Sequence, residues 1–235
     1  MWFNRTLYYQ SKVNALEKWG INMKKRILLL VMAVLLSMST MTGCMKIVKI
    51  GEEDKLTGKV TFNAGDNVAE IWDSAAIPEL TGKAVDLSTF LTEANGDLKS
   101  LADKYGKYSM GTSGQLSYTV KGIATVKEVN TEKKAGFMEV TIDGYSGPVI
   151  IQLQTGPVFK GSAVRDSLNL IKFEDYKNQV DYAAVSQSIH DIIKTTIIDP
   201  IDLAAIAGKQ IEFTGCFTVD KEDLILITPV MLTVK

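Results

Sequence analysis

The stretch Tyr118-Thr-Val-Lys-Gly-Ile-Ala-Thr-Val126 decides the fold. Tyr118, Val120, Gly122, Ala124 and Val126 alternate with Thr119, Lys121, Ile123 and Thr125, and the period of two holds through Val129. Successive strand side chains point to opposite faces, so this stretch is a strand with one face turned to a core. Asn130-Thr-Glu-Lys-Lys-Ala-Gly136 reads as a turn, and Phe137-Met-Glu-Val-Thr-Ile142 as a second strand closed by Asp143-Gly144. A third strand is predicted over 148–154, closed by Gly156-Pro157. Val185, Ile189, Ile192, Ile193 and Ile197 then recur at helical spacing and predict a helix over 175–198. A short helix is expected over 202–207, followed by Gly208. Strands four and five are expected over 210–215 and 224–234.

Three strands, a helix and two strands is the order of an OB-fold barrel. The sequence therefore predicts an α+β class, mainly β. A five-stranded OB-like barrel would occupy 113–235, with the helix between strands 3 and 4 plugging one end. Gly122 and Gly215 fall inside strands, where a small barrel needs tight bends.

Upstream, residues 66–112 read as a helical subdomain. Asp66 or Asn67 can cap a segment with Val68, Ile71, Trp72 and Ala75 on one face, which Pro78 ends or interrupts. Asp86 is placed to cap a helix over 87–94, broken by Asn95-Gly96, and Asp97 a second over 98–105. Trp72 reads as a core anchor on an amphipathic helix rather than a stacking platform.

The amino terminus is an address. Lys24, Lys25 and Arg26 precede Ile27-Leu-Leu-Leu-Val-Met-Ala-Val-Leu-Leu36, and Met41-Thr-Gly-Cys44 follows. Basic, apolar and small-residue regions in that order form a secretory signal over 23–43. The apolar run is half of the roughly 20 residues a spanning helix needs. The Gly43-Cys44 junction resembles a bacterial lipobox, in which the cysteine becomes the lipid attachment point. Residues 1–22 lie outside this plan and read as an extension upstream of a start at Met23, and 44–65 as a lipid-anchored tether with a short strand.

Composition narrows the function. The 235 residues hold 26 Lys+Arg, 27 Asp+Glu, one histidine (His190) and two cysteines. A histidine-built metal site and a disulfide-dense scaffold are excluded. Removing residues 1–43 takes away six basic residues and one acidic, leaving 20 basic and 26 acidic, a net charge of −6. Such a domain is ill suited to bind nucleic acid.

The chain also resembles a bacterial family of predicted periplasmic lipoproteins, the domain of unknown function 2291. The resemblance rests on Cys44-Met-Lys-Ile-Val-Lys-Ile50, Ile71-Trp-Asp-Ser74, Ala84-Val-Asp-Leu87 and Lys104-Tyr-Gly106. It is strongest at Gly156-Pro157 through Gly161, Ala163-Val-Arg-Asp166, Phe173-Glu-Asp-Tyr-Lys-Asn-Gln179 and Asp181-Tyr-Ala183. It implies an exported lipoprotein, encoded near sugar-type ABC transporters and with an envelope accessory role in solute uptake, but no settled activity.

Chemistry-bearing motifs are scarce. Ser186 and His190 share a helix face, but no nucleophile elbow surrounds the serine. Cys216 reads as a buried thiol, and the pairs Glu52/Glu53, Glu174/Asp175 and Asp220/Glu222/Asp223 as solvated charge. The segment 156–182 offers the best ligand candidates. Arg165 brings a planar donor fork beside Asp166, and Asp175, Asn178, Gln179 and Tyr182 bring groups common in sugar sites. The competing reading has Arg165 pairing with Asp166 or Asp175 while the amides cap a helix. The sequence thus points to a non-enzymatic, cofactor-free protein tethered to a bacterial membrane through Cys44. It would bind a small sugar-like solute or an ABC transporter component. The rivals are an envelope protein-interaction module and a carboxylate-dependent hydrolase.

Overall fold

The barrel is built by alternation. A computed structural model describes residues 64–235; the extension, the signal, Cys44 and the short strand at 45–50 lie outside the described residues. On β3 (Ser113–Asn130), Tyr118, Val120, Ala124 and Val126 are buried on one face. β4 (Ala135–Ile142), β5 (Ile150–Pro157), β6 (Gln210–Thr218) and β7 (Leu224–Val234) contribute inward residues in the same way. β3 pairs antiparallel with β4, and β4 with β5. β5 runs parallel to β7, β7 pairs antiparallel with β6, and β6 returns antiparallel to β3. The five strands therefore close into the expected OB ring.

Only one of the two strand glycines is demanded by close packing. A Cβ on Gly215 would come within 2.5 Å of Ile227 Cγ2 and 2.7 Å of Thr228 O, at a register shift between β6 and β7. At Gly122 the nearest atom would be Phe213 Cε1 at 3.5 Å, an ordinary contact.

The plug of the barrel is not the helix the sequence pointed to. The barrel interior is filled by α3 (Leu87–Ala94) and the 3₁₀ turn Leu98–Leu101, the latter running on into α4 (Ala102–Tyr105); all lie upstream of the barrel strands. Leu87, Phe90, Leu91, Ala94 and Leu98 are buried among the inward strand residues. Phe90 packs its ring on Tyr118 at 4.7 Å and on Phe217 at 5.8 Å, and Tyr118 OH donates to Leu98 O at 2.6 Å. The caps work as predicted. Asp86 accepts from Thr89 N, Asp97 from Lys99 N and Ser100 N, and Asn95 ends α3 in the left-handed conformation.

A second core lies outside the ring. α1 (Ala64–Ile71) passes through a π-helical turn (Trp72–Ala76) into α2 (Ile77–Lys83). Pro78 sits just past the π-helical turn, so the α-helical hydrogen-bond pattern is interrupted just before it while the helical run continues into α2. Helix is already under way at Ala64, so Asp66 and Asn67 lie inside it rather than capping it. The predicted helix between strands 3 and 4 starts at Gln179, as α6 (Gln179–Ile193), and passes into a π-helical turn (Lys194–Ile198). It packs with α1, α2 and α5 (Ala163–Ser167) against outward residues of the sheet such as Cys216 and Val230. Trp72 is buried there, as an anchor should be.

Smaller details differ from the expectations. Residues 202–207 are turns, with Ala204 N donating to Asp202 Oδ1 in place of a helical ladder. The third strand starts at Ile150 rather than 148, and β6 runs on past Gly215 to Thr218. Finally, β1 (Val85–Asp86) and β2 (Gly106–Met110) add to β3 outside the ring, in segments too short for a periodic signal.

Candidate functional site

Three of the residues singled out in the sequence meet. Arg165, in α5, donates through Nε at 2.9 Å and Nη2 at 2.7 Å to Asp166 Oδ1, and through Nη1 at 3.1 Å to Tyr182 O. The Tyr182 ring covers the guanidinium, with Cζ 3.7 Å from the ring centroid, and Tyr182 OH donates to Asp166 Oδ1 at 3.3 Å. Phe173 and Tyr176 pack on the same ring at 5.3 and 5.4 Å. Arg165 is 11% exposed and Asp166 2%. Burial pushes the Tyr182 hydroxyl's pKa up, with Arg165 opposing and Asp166 adding. The edge of the fork is spent on Asp166 and its face on Tyr182, so this arrangement ties α5 to α6.

The remaining candidates lie elsewhere. Asn178 caps α6, its Oδ1 accepting from Asp181 N at 2.9 Å while Nδ2 donates to Asp181 Oδ2. Asp175, in a 3₁₀ turn, and Gln179, the first residue of α6, are exposed.

His190 and Ser186 are buried on α6, and the Ser186 hydroxyl has no hydrogen-bond partner among the described residues. His190 instead stacks on Phe159, rings 5.3 Å apart at 25°, and burial pushes its pKa down. The Cys216 thiol is buried with Thr119 Oγ1 3.6 Å away, and burial pushes its pKa up. Glu174, Asp220, Glu222 and Asp223 are exposed. Among the described residues no three His, Cys, Asp or Glu side chains gather as a metal site requires.

A cleft of about 220 Å³ opens at the β6–β7 hairpin. Its floor is Leu224, Leu226 and Ala163; its rim is Lys160, Gly161, Thr218, Asp220 and Lys221. Gln154, buried on β5, holds the rim. Its Oε1 accepts from Lys160 N at 2.6 Å, and its Nε2 donates to Lys160 O at 3.1 Å and Thr228 Oγ1 at 2.7 Å. Gly161 turns the chain at φ +77°, a conformation L side chains rarely adopt. Asp220, expected as solvated charge in a turn, lines this cleft together with Leu224 and Leu226. The signal was present in Leu224-Ile-Leu-Ile227, a strand apolar on both faces. A barrel interior accounts for Ile225 and Ile227 but not for the leucines.

Comparison with known proteins adds a family and a fold. The family described as predicted periplasmic lipoprotein, domain of unknown function 2291, matches residues 31–233. No curated protein matches the chain. Among solved structures, the chain is similar to an OB-fold protein from Thermotoga maritima. That likeness has 18% identity and a TM-score of 0.60, covering 74% of this chain and 99% of that one. At that identity the likeness concerns the fold.

Proposed function

Because the chain belongs to this family of predicted periplasmic lipoproteins, we propose that it is a non-enzymatic binding protein, held outside the cytoplasmic membrane by a lipid on Cys44. Its ligand is a small sugar-like solute seated in the cleft at the β6–β7 hairpin. One observation carries this reading: half-buried Leu224 and Leu226 form an apolar floor under a rim of Lys160, Asp220 and Lys221. An apolar floor with a few convergent polar groups is the usual make-up of a solute site, and a sugar ring has one face of each kind. The position supports it too, since OB barrels grip ligands with the loop between their fourth and fifth strands. At about 220 Å³ the cleft suits one small solute rather than a chain. An accessory role beside a sugar-type ABC transporter rests on the family resemblance alone.

A thermal-shift screen of the full-length chain in detergent, against sugars, nucleosides and amino acids, tests the reading. A binder raises the midpoint by mass action. The expected outcome is a saturable shift with a sugar that Leu226→Trp abolishes by filling the cleft. A flat response across the panel would overturn the solute and favour an envelope protein as partner.

A further inference from the structure

A second cavity lies where α2, α5 and β3 meet. It measures about 150 Å³, shares no lining residue with the hairpin cleft, and is bordered by Lys83, Lys107, Ser117, Thr119, Ser167 and Asn169. Two ammonium groups enter it. Lys107 Nζ donates to Asp166 O at 2.8 Å and Leu168 O at 2.6 Å, and Lys83 Nζ donates to Glu79 Oε1 at 2.7 Å and to Ser167 O. An ammonium has three donors, so among the described residues each retains one. Lys83 hydrogen-bonds a carboxylate, Glu79, whereas Lys107 donates only to carbonyls, with the Glu79 and Asp166 carboxylates acting on it through space. A half-buried cation with no carboxylate in direct contact is costly, and a second cation alongside raises the cost. The Ser167 hydroxyl, in a residue 1% exposed, has only the Cys216 thiol beside it and no oxygen or nitrogen partner among the described residues. A fold seldom leaves such a group unsatisfied except where something else meets it.

We propose that this cavity is a binding site for a small oxyanion, a phosphate or the carboxylate of a short organic acid, held by Lys83, Lys107 and Ser167. The anion supplies Lys107 with a counter-charge in direct contact and Ser167 with an oxygen acceptor. Exposed Lys127, by contrast, is paired directly with Glu139. Charge-assisted donors of this kind are the stronger class of hydrogen bond. The volume admits a phosphate or an acid of a few carbons and excludes a nucleotide.

Isothermal titration of the full-length chain with inorganic phosphate, and separately with acetate, at ionic strength matched by chloride, tests this. A saturable heat with either probe is expected, and which probe gives it assigns the phosphoryl or the carboxylate source. Lys107→Met should weaken that probe by about tenfold or more. Ser167→Ala, which removes only the unsatisfied hydroxyl and should fold whatever becomes of Lys107→Met, should weaken it several-fold. Leu226→Trp in the hairpin cleft should leave it unchanged. No saturable heat from either probe, or full affinity in Ser167→Ala, overturns the site.

Discussion

Gln154 clasps the backbone of Lys160 from both sides, accepting from its N–H at 2.6 Å and donating to its carbonyl at 3.1 Å. One buried amide on a barrel strand thereby fixes the edge of the hairpin cleft. Replacing it by leucine keeps the volume and removes all three of its bonds, the third being to Thr228 Oγ1. Stranding the Lys160 groups and Thr228 Oγ1 should cost about 1–3 kcal/mol in chemical denaturation. If stability is unchanged, the clasp is dispensable.

The Arg165–Asp166 pair is buried under Tyr182. Arg165→Leu should cost about 3–5 kcal/mol, because it leaves Asp166 buried and uncompensated. Arg165→Leu with Asp166→Asn should recover a large part of that loss. A double variant as unstable as the sum of the single changes would show that the two side chains act independently.

Phe90 tests whether the upstream helix plugs the barrel. Its ring is fully buried between Tyr118 and Phe217. Phe90→Ala should cost about 3–5 kcal/mol, the range for an aromatic lost from a packed interior. Val185→Ala, in the outer core, should cost less because it removes fewer atoms. Equal costs would argue against α3 as the centre of the barrel core.

His190 makes stability depend on pH. Burial lowers its folded pKa below the ordinary 6.5, with Asp191 opposing and Arg165 reinforcing. The unfolded chain therefore binds a proton first as pH falls. This contribution is fully present above pH 6.5 and is lost as pH falls from there through the folded pKa, by at most about 1.4 kcal/mol per pH unit. Thermal midpoints of His190→Phe, which keeps the stack on Phe159, should lose that slope. An unchanged slope would assign the dependence to carboxylates.

Much of the fold was legible because its signals are local. Alternation at Tyr118, Val120, Ala124 and Val126 marks a strand from its own residues, and Asp86 and Asp97 announce helix starts by the chemistry of their own caps. The site was less legible. Arg165 could be seen as a fork, but its use depends on Tyr182, seventeen positions away and brought close only by the packing of α5 on α6.

By itself the sequence determined the order of the barrel strands, which face of each is apolar, and the family to which the chain belongs. Tertiary structure alone decided what covers each face. It put α3 rather than α6 in the barrel, spent Arg165 on Asp166, and brought Lys83 and Lys107 to one cavity. The physical reason is that periodicity encodes a side chain's direction relative to its own backbone. Burial, charge pairing and cavities arise between segments distant in the chain, where only packing selects the partner.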